Sequence, residues 1–313
     1  MGETGKGLAA MTAACVIWGL SSIFYKTLSH VPPLEVLSHR TLWSMVFFGA
    51  IMGFRGRLGE IRGLLLSRRA IFVALAAVTI STNWFFFIFS VQTGRALDAS
   101  LGYYIFPLVA VLLGVIVFRE TLGLLRGLAV ALAGVAVLVL TIGLGAAPWI
   151  SLTLATTFGL YGVVKKGLDA GPVASVTAEV VLLAPLALGW LVMVHRFGAE
   201  GLVGRNLGAF GSNWRDTALL MFSGPLTGLP LILFSYAARR LGYGLVGLLQ
   251  YINPTLQFLV ATFLFLEPVT RWHLVALPLI WMALALYSWV TLREERAASR
   301  LRAIEATSSA TMT

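Results

Sequence analysis

One cysteine in 313 residues, Cys15, leaves this chain neither a disulfide framework nor a cysteine-based metal site. Acidic residues are scarce, thirteen Asp and Glu, and charged residues of both signs make up only 12% of the sequence. A soluble globular protein carries about a quarter charged residues. Half that share, in a chain that is 58% hydrophobic, excludes an ordinary water-soluble domain and points to an integral membrane protein. Enzyme signatures are missing as well: there is no HExxH and no GxSxG, and no phosphate loop lies between a strand and a helix. The GETGKG at residues 2–7 has the wrong glycine and lysine spacing for such a loop. An ATP-driven pump is thus excluded for this chain alone, and no metal or cofactor is expected. The net charge of +10 sits in short clusters between apolar runs, which fits the positive-inside rule better than a phosphate-binding face. The expected partners are the lipid bilayer and a small molecule, not nucleic acid.

What is abundant is apolar sequence of membrane length. A spanning helix needs roughly twenty mostly apolar residues. Ten stretches meet that need: 8–28, 34–54, 70–92, 97–118, 124–142, 147–165, 173–194, 217–237, 243–265 and 272–292. The first follows Lys6 without a small-residue cleavage site, so it reads as a retained helix and not a signal peptide. Residues 55–69 form a strongly basic connection, and 195–216 a long Gly-rich one. The tail from Arg293 is expected to be a frayed helical end followed by partial disorder. With the N-terminus inside, sixteen Lys and Arg fall on inner connections and six on outer ones. Both termini are therefore predicted to be cytoplasmic, in a bacterial inner membrane.

The chain also repeats itself. Tyr104 to Glu120 (YIFPLVAVLLGVIVFRE) aligns without a gap on Tyr251 to Glu267 (YINPTLQFLVATFLFLE) at an offset of 147, with six identities in seventeen. Pro107 matches Pro254, and Glu120 matches Glu267. Trp18–Lys26 (WGLSSIFYK) matches Phe158–Lys166 (FGLYGVVKK) at an offset of 140. The expected fold is all-α, with ten transmembrane helices as two five-helix repeats, residues 1–142 and 143–292, before a cytoplasmic tail, 293–313. Five is odd, so the second repeat enters the membrane from the opposite side, the arrangement of secondary transporters.

Polar residues within the spans mark the candidate site. At 1.5 Å of rise per residue, Pro107 and Pro254 fall about 15 Å into their helices. There each proline frees the carbonyl four residues back, on Tyr103 and Gln250. Asn253 and Gln250 are poorly suited to face lipid. Arg40 and Glu179 are ionisable within spans, a position that defaults to function, and are expected to face a central cavity from opposite sides. There they suit the two charges of a zwitterion or each other. His39 is expected to pack. Trp18, Tyr25, Asn83, Trp84, Tyr104, Tyr161 and Tyr251 complete the candidate set, and Tyr103 belongs to the same aromatic group, whose faces suit a flat or amphipathic body. Trp43, Trp149, Trp214, Trp272 and Trp289 read as interfacial anchors. Glu120 and Glu267 read as caps or partners of Arg126 and Arg271. The GxxxG pairs Gly49/Gly53 and Gly224/Gly228 permit close helix contact without naming the partner.

These residues resemble the EamA group of the drug/metabolite transporter superfamily. The resemblance rests on Trp18-Gly19, SHRTLWS (Ser38–Ser44), Asn83-Trp84, ASLGYYIFP (Ala99–Pro107), FGLYGVVKK (Phe158–Lys166), Glu179 and QYINPTLQF (Gln250–Phe258). Within that group the combination looks like the RarD-type permeases. The resemblance implies an inner-membrane permease exporting small organic metabolites or drugs, with its cavity between the halves. A proton-coupled, chloramphenicol-like multidrug efflux pump with Glu179 as the coupling carboxylate stays open. So does a different class, a lipid scramblase or membrane sensor, and so do a monomer and a homodimer. The charge bias makes one prediction directly: a fluorescent protein fused to the C-terminus will fluoresce, and alkaline phosphatase fused there will be inactive. The reverse pattern contradicts the orientation.

Overall fold

Prolines and glycines punctuate the sequence where apolar runs end, and in the computed structural model the helices form between them. The structure describes residues 2–119, 121, 123–168, 170–199 and 208–310. In chain order the helices are α1 (Glu3–Thr27), α2 (Pro33–Phe54), α3 (Leu58–Leu65), α4 (Ala70–Gln92), α5 (Ala96–Phe118) and α6 (Leu124–Leu144). They continue as α7 (Trp149–Lys166), α8 (Pro172–Phe197), α9 (Trp214–Ala238), α10 (Tyr243–Gln250), α11 (Ile252–Leu259) with a π turn at Val260–Leu264, and α12 (Arg271–Ala310). No strand occurs among the described residues. Pro33 and Pro172 open α2 and α8, where a missing N–H is harmless. Eight helical segments are long and apolar enough to cross a membrane; α2 and α7 are not among them. Ile71, Val78, Ile116, Leu138, Ile142 and Leu186 project outward, exposed. Such surfaces suit lipid, and the chain is a multi-pass membrane protein.

Packing crosses between the two sequence halves. Helix α1 lies against α9 and α11, α7 lies against α4 and α5, and α6 pairs with α12 as α2 does with α8. Two glycines make the cross-packing close. A Cβ on Gly19 would sit 2.7 Å from Leu256 of α11, and one on Gly159 would sit 2.8 Å from Leu113 and 3.7 Å from Val109 of α5. Gly19 and Gly159 match in the sequence repeat, as do Leu256 and Val109. The same contact is thus built twice. Gly224 and Gly228 seat α9 against Trp43 and Phe47 of α2 within this chain, whereas Gly49 faces open space.

The repeat shares a backbone feature too. Arg119 (φ 54°) and Leu266 (φ 55°), 147 residues apart, both adopt the left-handed conformation that side chains disfavour. After Leu266, the buried Glu267 turns its carboxylate onto the N-terminus of α5, accepting from the backbone N–H of Ala96 at 2.8 Å and Leu97 at 2.7 Å. It caps a helix of the other half, where the helix dipole favours an anion. The matching Glu120 lies outside the described residues. Arg126 pairs instead with Glu294.

Three elements differ from the sequence reading. The basic 55–69 connection contains α3, whose Ile61 and Leu64 insert against Met52, Val73 and Ala178. The 243–265 stretch breaks at Tyr251 into α10 and α11, because Pro254 has no N–H for the Gln250 carbonyl. Pro107, by contrast, sits inside an unbroken α5. Finally, α12 runs as helix to Ala310 through a sequence rich in Ala, Glu, Arg and Leu, all good helix formers.

Ion pairs identify which helix ends lie together. Glu3–Arg240 ties the start of α1 to the end of α9, and Arg126–Glu294 ties the start of α6 to the late part of α12. This is the basic end. At the other end His30 meets Asp216 at 2.8 Å, the Gln92 amide donates to the Leu28 carbonyl at 2.9 Å, and the buried Glu35 accepts from the N–H of Gly208 and Ala209. Extra atoms in a tight helix contact cost about 1–3 kcal/mol. Gly19→Leu or Gly159→Leu will therefore lower the thermal midpoint of the detergent-solubilised protein by several degrees. Gly134→Ala, with open space around it, will leave the midpoint unchanged or slightly higher.

Candidate functional site

The helices that cross between the halves leave room along their shared axis. A cavity of about 670 Å³ opens there, in the size range of small-molecule sites. Of the residues singled out in the sequence, Trp18, Tyr25, Arg40, Asn83, Trp84, Tyr161, Gln250, Tyr251 and Asn253 line it, together with Pro107 and Pro254. Its lining reaches the basic end at Lys165, Pro172, Gly244 and Thr291. Towards the other end it stops at a packed layer of Leu28, Val36, Ile88, Val91, Leu97, Leu220 and Ala261. That layer lies beneath the Glu267, Gln92 and His30 contacts.

Arg40 stands next to that closed floor. It is 7% exposed, with its guanidinium carbon 4.2 Å from the ring centroid of Trp84 and 5.6 Å from that of Tyr25. Both rings give the cation a π face. Its Nε meets no hydrogen-bond partner. Beside it, Tyr103 donates to the Asn83 side-chain oxygen at 2.9 Å. The Asn83 amide in turn donates to the Leu154 carbonyl and to Thr157. That chain of bonds fixes the tyrosine ring on the cavity wall. Trp18 leans on Phe234 with centroids 6.0 Å apart, and Tyr161 stacks on Phe158 at 6.1 Å. The break in α10–α11 turns Gln250, Tyr251 and Asn253 towards the same space, with the Gln257 amide donating to the Asn253 side-chain oxygen at 2.9 Å.

Two residues fall elsewhere. Glu179 does not reach the cavity: its side chain is 1% exposed, behind Lys165, whose ammonium it holds at 2.6 Å. It also accepts from the Tyr161 hydroxyl at 3.2 Å, while Lys165 donates to Ser175 as well. A carboxylate buried between α7 and α8 needs a cation at contact distance, and Lys165 of α7 supplies it, whereas Arg40 of the neighbouring α2 turns to Trp84 and Tyr25 instead. Tyr104 packs into a second core, donating to Thr255 at 2.8 Å and resting on Trp281. His39 stacks on Phe210 at 4.7 Å, in a separate lipid-side groove with His195 and Arg196.

Tyr103, part of the aromatic group but not of the candidate set, lines the cavity, and lining residues outside that set also include Lys165, Phe106, Phe158, Phe234 and Gln257. The repeat aligns Tyr103 with Gln250, and both line the cavity, so the offset of 147 carried that signal. Tyr104 drew attention as the identical residue, but one position along a helix is a rotation of about 100°. In the sequence Lys165 is one of sixteen inner-connection cations, and nothing local sets it apart from the others.

A multi-pass helical bundle with a solute-sized cavity between crosswise-packed halves defines a membrane transporter. The profile of the EamA-like transporter family matches residues 5–142. The chain is 38% identical to Protein RarD of Streptomyces exfoliatus, over 99% of this chain and 96% of that protein. It is 37% identical to the uncharacterized transporter YojE of Bacillus subtilis, over 94% and 97%, and 33% identical to Protein RarD of Escherichia coli, over 95% and 99%. A solved protein structure at 17% identity shares the fold, with a TM-score of 0.59 over 93% of this chain and 99% of that one. The chain belongs to the EamA-like transporter family and is a permease of its RarD type.

Breaking a buried pair by removing one partner costs about 3–5 kcal/mol, whereas removing both costs far less. Lys165→Met alone will therefore destabilise the purified protein strongly. The double variant Lys165→Met/Glu179→Gln will recover most of the loss in a thermal melt. Equal midpoints for the single and double variants contradict a paired Glu179.

Proposed function

We propose that this protein is a secondary transporter, not an enzyme, that exports small organic molecules across the bacterial inner membrane by alternating access. In this reading ten helices cross the bilayer as two inverted five-helix repeats, residues 1–142 and 143–292. The tail 293–313 and the N-terminus then lie in the cytoplasm. The observation that carries it is the cavity of about 670 Å³ whose lining reaches the basic end and stops at a packed floor on the other side. By the positive-inside rule the basic end faces the cytoplasm, so the site is accessible from inside. The twofold contacts support the inversion: Gly19 on α11 answers Gly159 on α5, and Arg119 answers Leu266. A rocking motion would exchange the floor contacts for ones at the basic end.

The lining residues then act as substrate ligands: Arg40 for charge, Trp18, Trp84, Tyr25, Tyr161 and Tyr251 for an apolar body, and Asn83, Gln250 and Asn253 for polar edges. Glu179 acts one step behind, by holding Lys165 and Tyr161 in place. The proton-coupled drug-efflux alternative keeps one support, for its drug part alone: a relative from Pseudomonas aeruginosa, 29% identical, is named chloramphenicol-sensitive protein RarD. Flux that ignores an imposed pH gradient would remove that alternative.

Alternating access requires the closed end to open. His30 and Asp216 touch across it. In a Cys15→Ala background, His30→Cys/Asp216→Cys joined by a short bifunctional thiol reagent will lose proteoliposome flux at least about tenfold. The flux is that of any aromatic acid, amphenicol or amino acid that the wild type moves. A reductively cleavable linker will restore it on reduction. Full flux through quantitatively cross-linked protein contradicts the mechanism.

A further inference from the structure

We infer that the transported molecule is an organic anion, a single carboxylate or similar planar oxyanion on an aromatic body, received by Arg40. The inference rests on the transport reading above and sharpens it.

The charges lining the cavity decide the sign. Lys165 reaches the lining, but its ammonium is held by Glu179 at 2.6 Å and by Ser175. That pair is neutral as a unit, and Glu179, at 1% side-chain exposure, offers nothing to a ligand amine. Arg40 remains. Among the described residues no carboxylate and no hydrogen-bond acceptor meets its guanidinium, and its Nε is buried without a partner. A guanidinium carries five donors in a planar fork that matches a carboxylate. Aromatic rings can cover its faces, but they cannot satisfy its edges in that way. An arginine 7% exposed on the cavity wall, with a buried Nε that meets no partner, is a site awaiting an acceptor.

The neighbours fit the rest of the ligand. Trp84 and Tyr25 flank the guanidinium, and Tyr103 is held by Asn83. Those side chains leave an aromatic slot beside the cation, walled further out by Phe106 and Phe158. A carboxylate on Arg40 would place an attached ring in that slot. A zwitterion's ammonium would find ring faces but no free carboxylate to pair with, beside the like charge of Arg40, and a cation would meet Arg40 directly. The sequence reading of a charge cradle with Glu179 as its anionic side is thereby replaced by a site of net positive charge.

Four probes of one shape separate the classes: indole-3-acetate (anion), indole-3-acetamide (neutral), tryptophan (zwitterion) and tryptamine (cation). Their affinities for the purified full-length protein would be read from thermal stabilisation, and their movement from counterflow in proteoliposomes. Indole-3-acetate is expected to bind at least about tenfold more tightly than the amide, the ratio a charge-assisted bidentate bond supplies. Arg40→Gln will abolish that ratio, and Arg40→Lys will keep part of it. The wild-type comparison needs no variant, so a misfolded Arg40→Gln leaves it decisive. Equal affinities, a preference for the amide, tryptophan or tryptamine, an anion preference that survives Arg40→Gln, or no binding by any probe overturns the inference. Preferred anion binding without flux of any probe overturns the transport reading instead and leaves the anion site standing.

Discussion

Hydrocarbon offers no partner to a charge or a free backbone group, so each such group must be met within the protein or by what the protein carries. Most of this structure follows from that constraint. Glu267 is held by two backbone amides at the start of α5, Glu35 by the N–H groups of Gly208 and Ala209, and Glu179 by Lys165. Each carboxylate is matched, and each match ties together segments far apart in the sequence. Arg40, by contrast, meets no carboxylate among the described residues, and it lies beside the cavity floor.

The carboxylates do two jobs by position. Glu267 and Glu35 sit at the end where the cavity is closed, where they fasten helix and loop backbones over the packed layer of Leu28, Ile88 and Leu220. Glu179 sits on the side that reaches the basic end and there cancels the charge of Lys165. Two of the polar contacts at the closed end, Gln92 to Leu28 and His30 to Asp216, are single hydrogen-bonded contacts. Such contacts are individually modest, which is what the proposed alternating access asks of a surface that separates.

The two copies of the proline-bearing segment are alike where they pack and different where they line the cavity. Val109 and Leu256 take the same place against matching glycines, and Arg119 and Leu266 take the same strained backbone. Around the prolines they part: α5 is continuous through Pro107, whereas the chain breaks at Tyr251 before Pro254. The second copy has Asn253, Thr255 and Gln257 where the first has Phe106, Leu108 and Ala110. Its amides can meet the freed backbone and one another, so the helix can open there at little cost. The first copy, apolar throughout, keeps its ladder.

The sequence by itself determined what local chemistry and periodicity can encode. Scarce charge and long apolar runs dictated a helical membrane protein, because an unpaired backbone cannot sit in lipid. The 147-residue offset exposed the duplication, and most of the polar and aromatic candidates inside spans do line the cavity. Helix α3 was less visible, since two buried side chains among five arginines look like a loop. Which residue is paired with which was decided only by tertiary structure. Nothing in the spacing of Lys165 and Glu179 says that they meet rather than face a ligand, and one helical step separates cavity-lining Tyr103 from buried Tyr104. Glu267 appeared as the end of its own helix, yet it caps another. Electrostatic partnership acts over a few ångströms in space and is indifferent to distance along the chain. Which ions already have partners therefore had to await the fold.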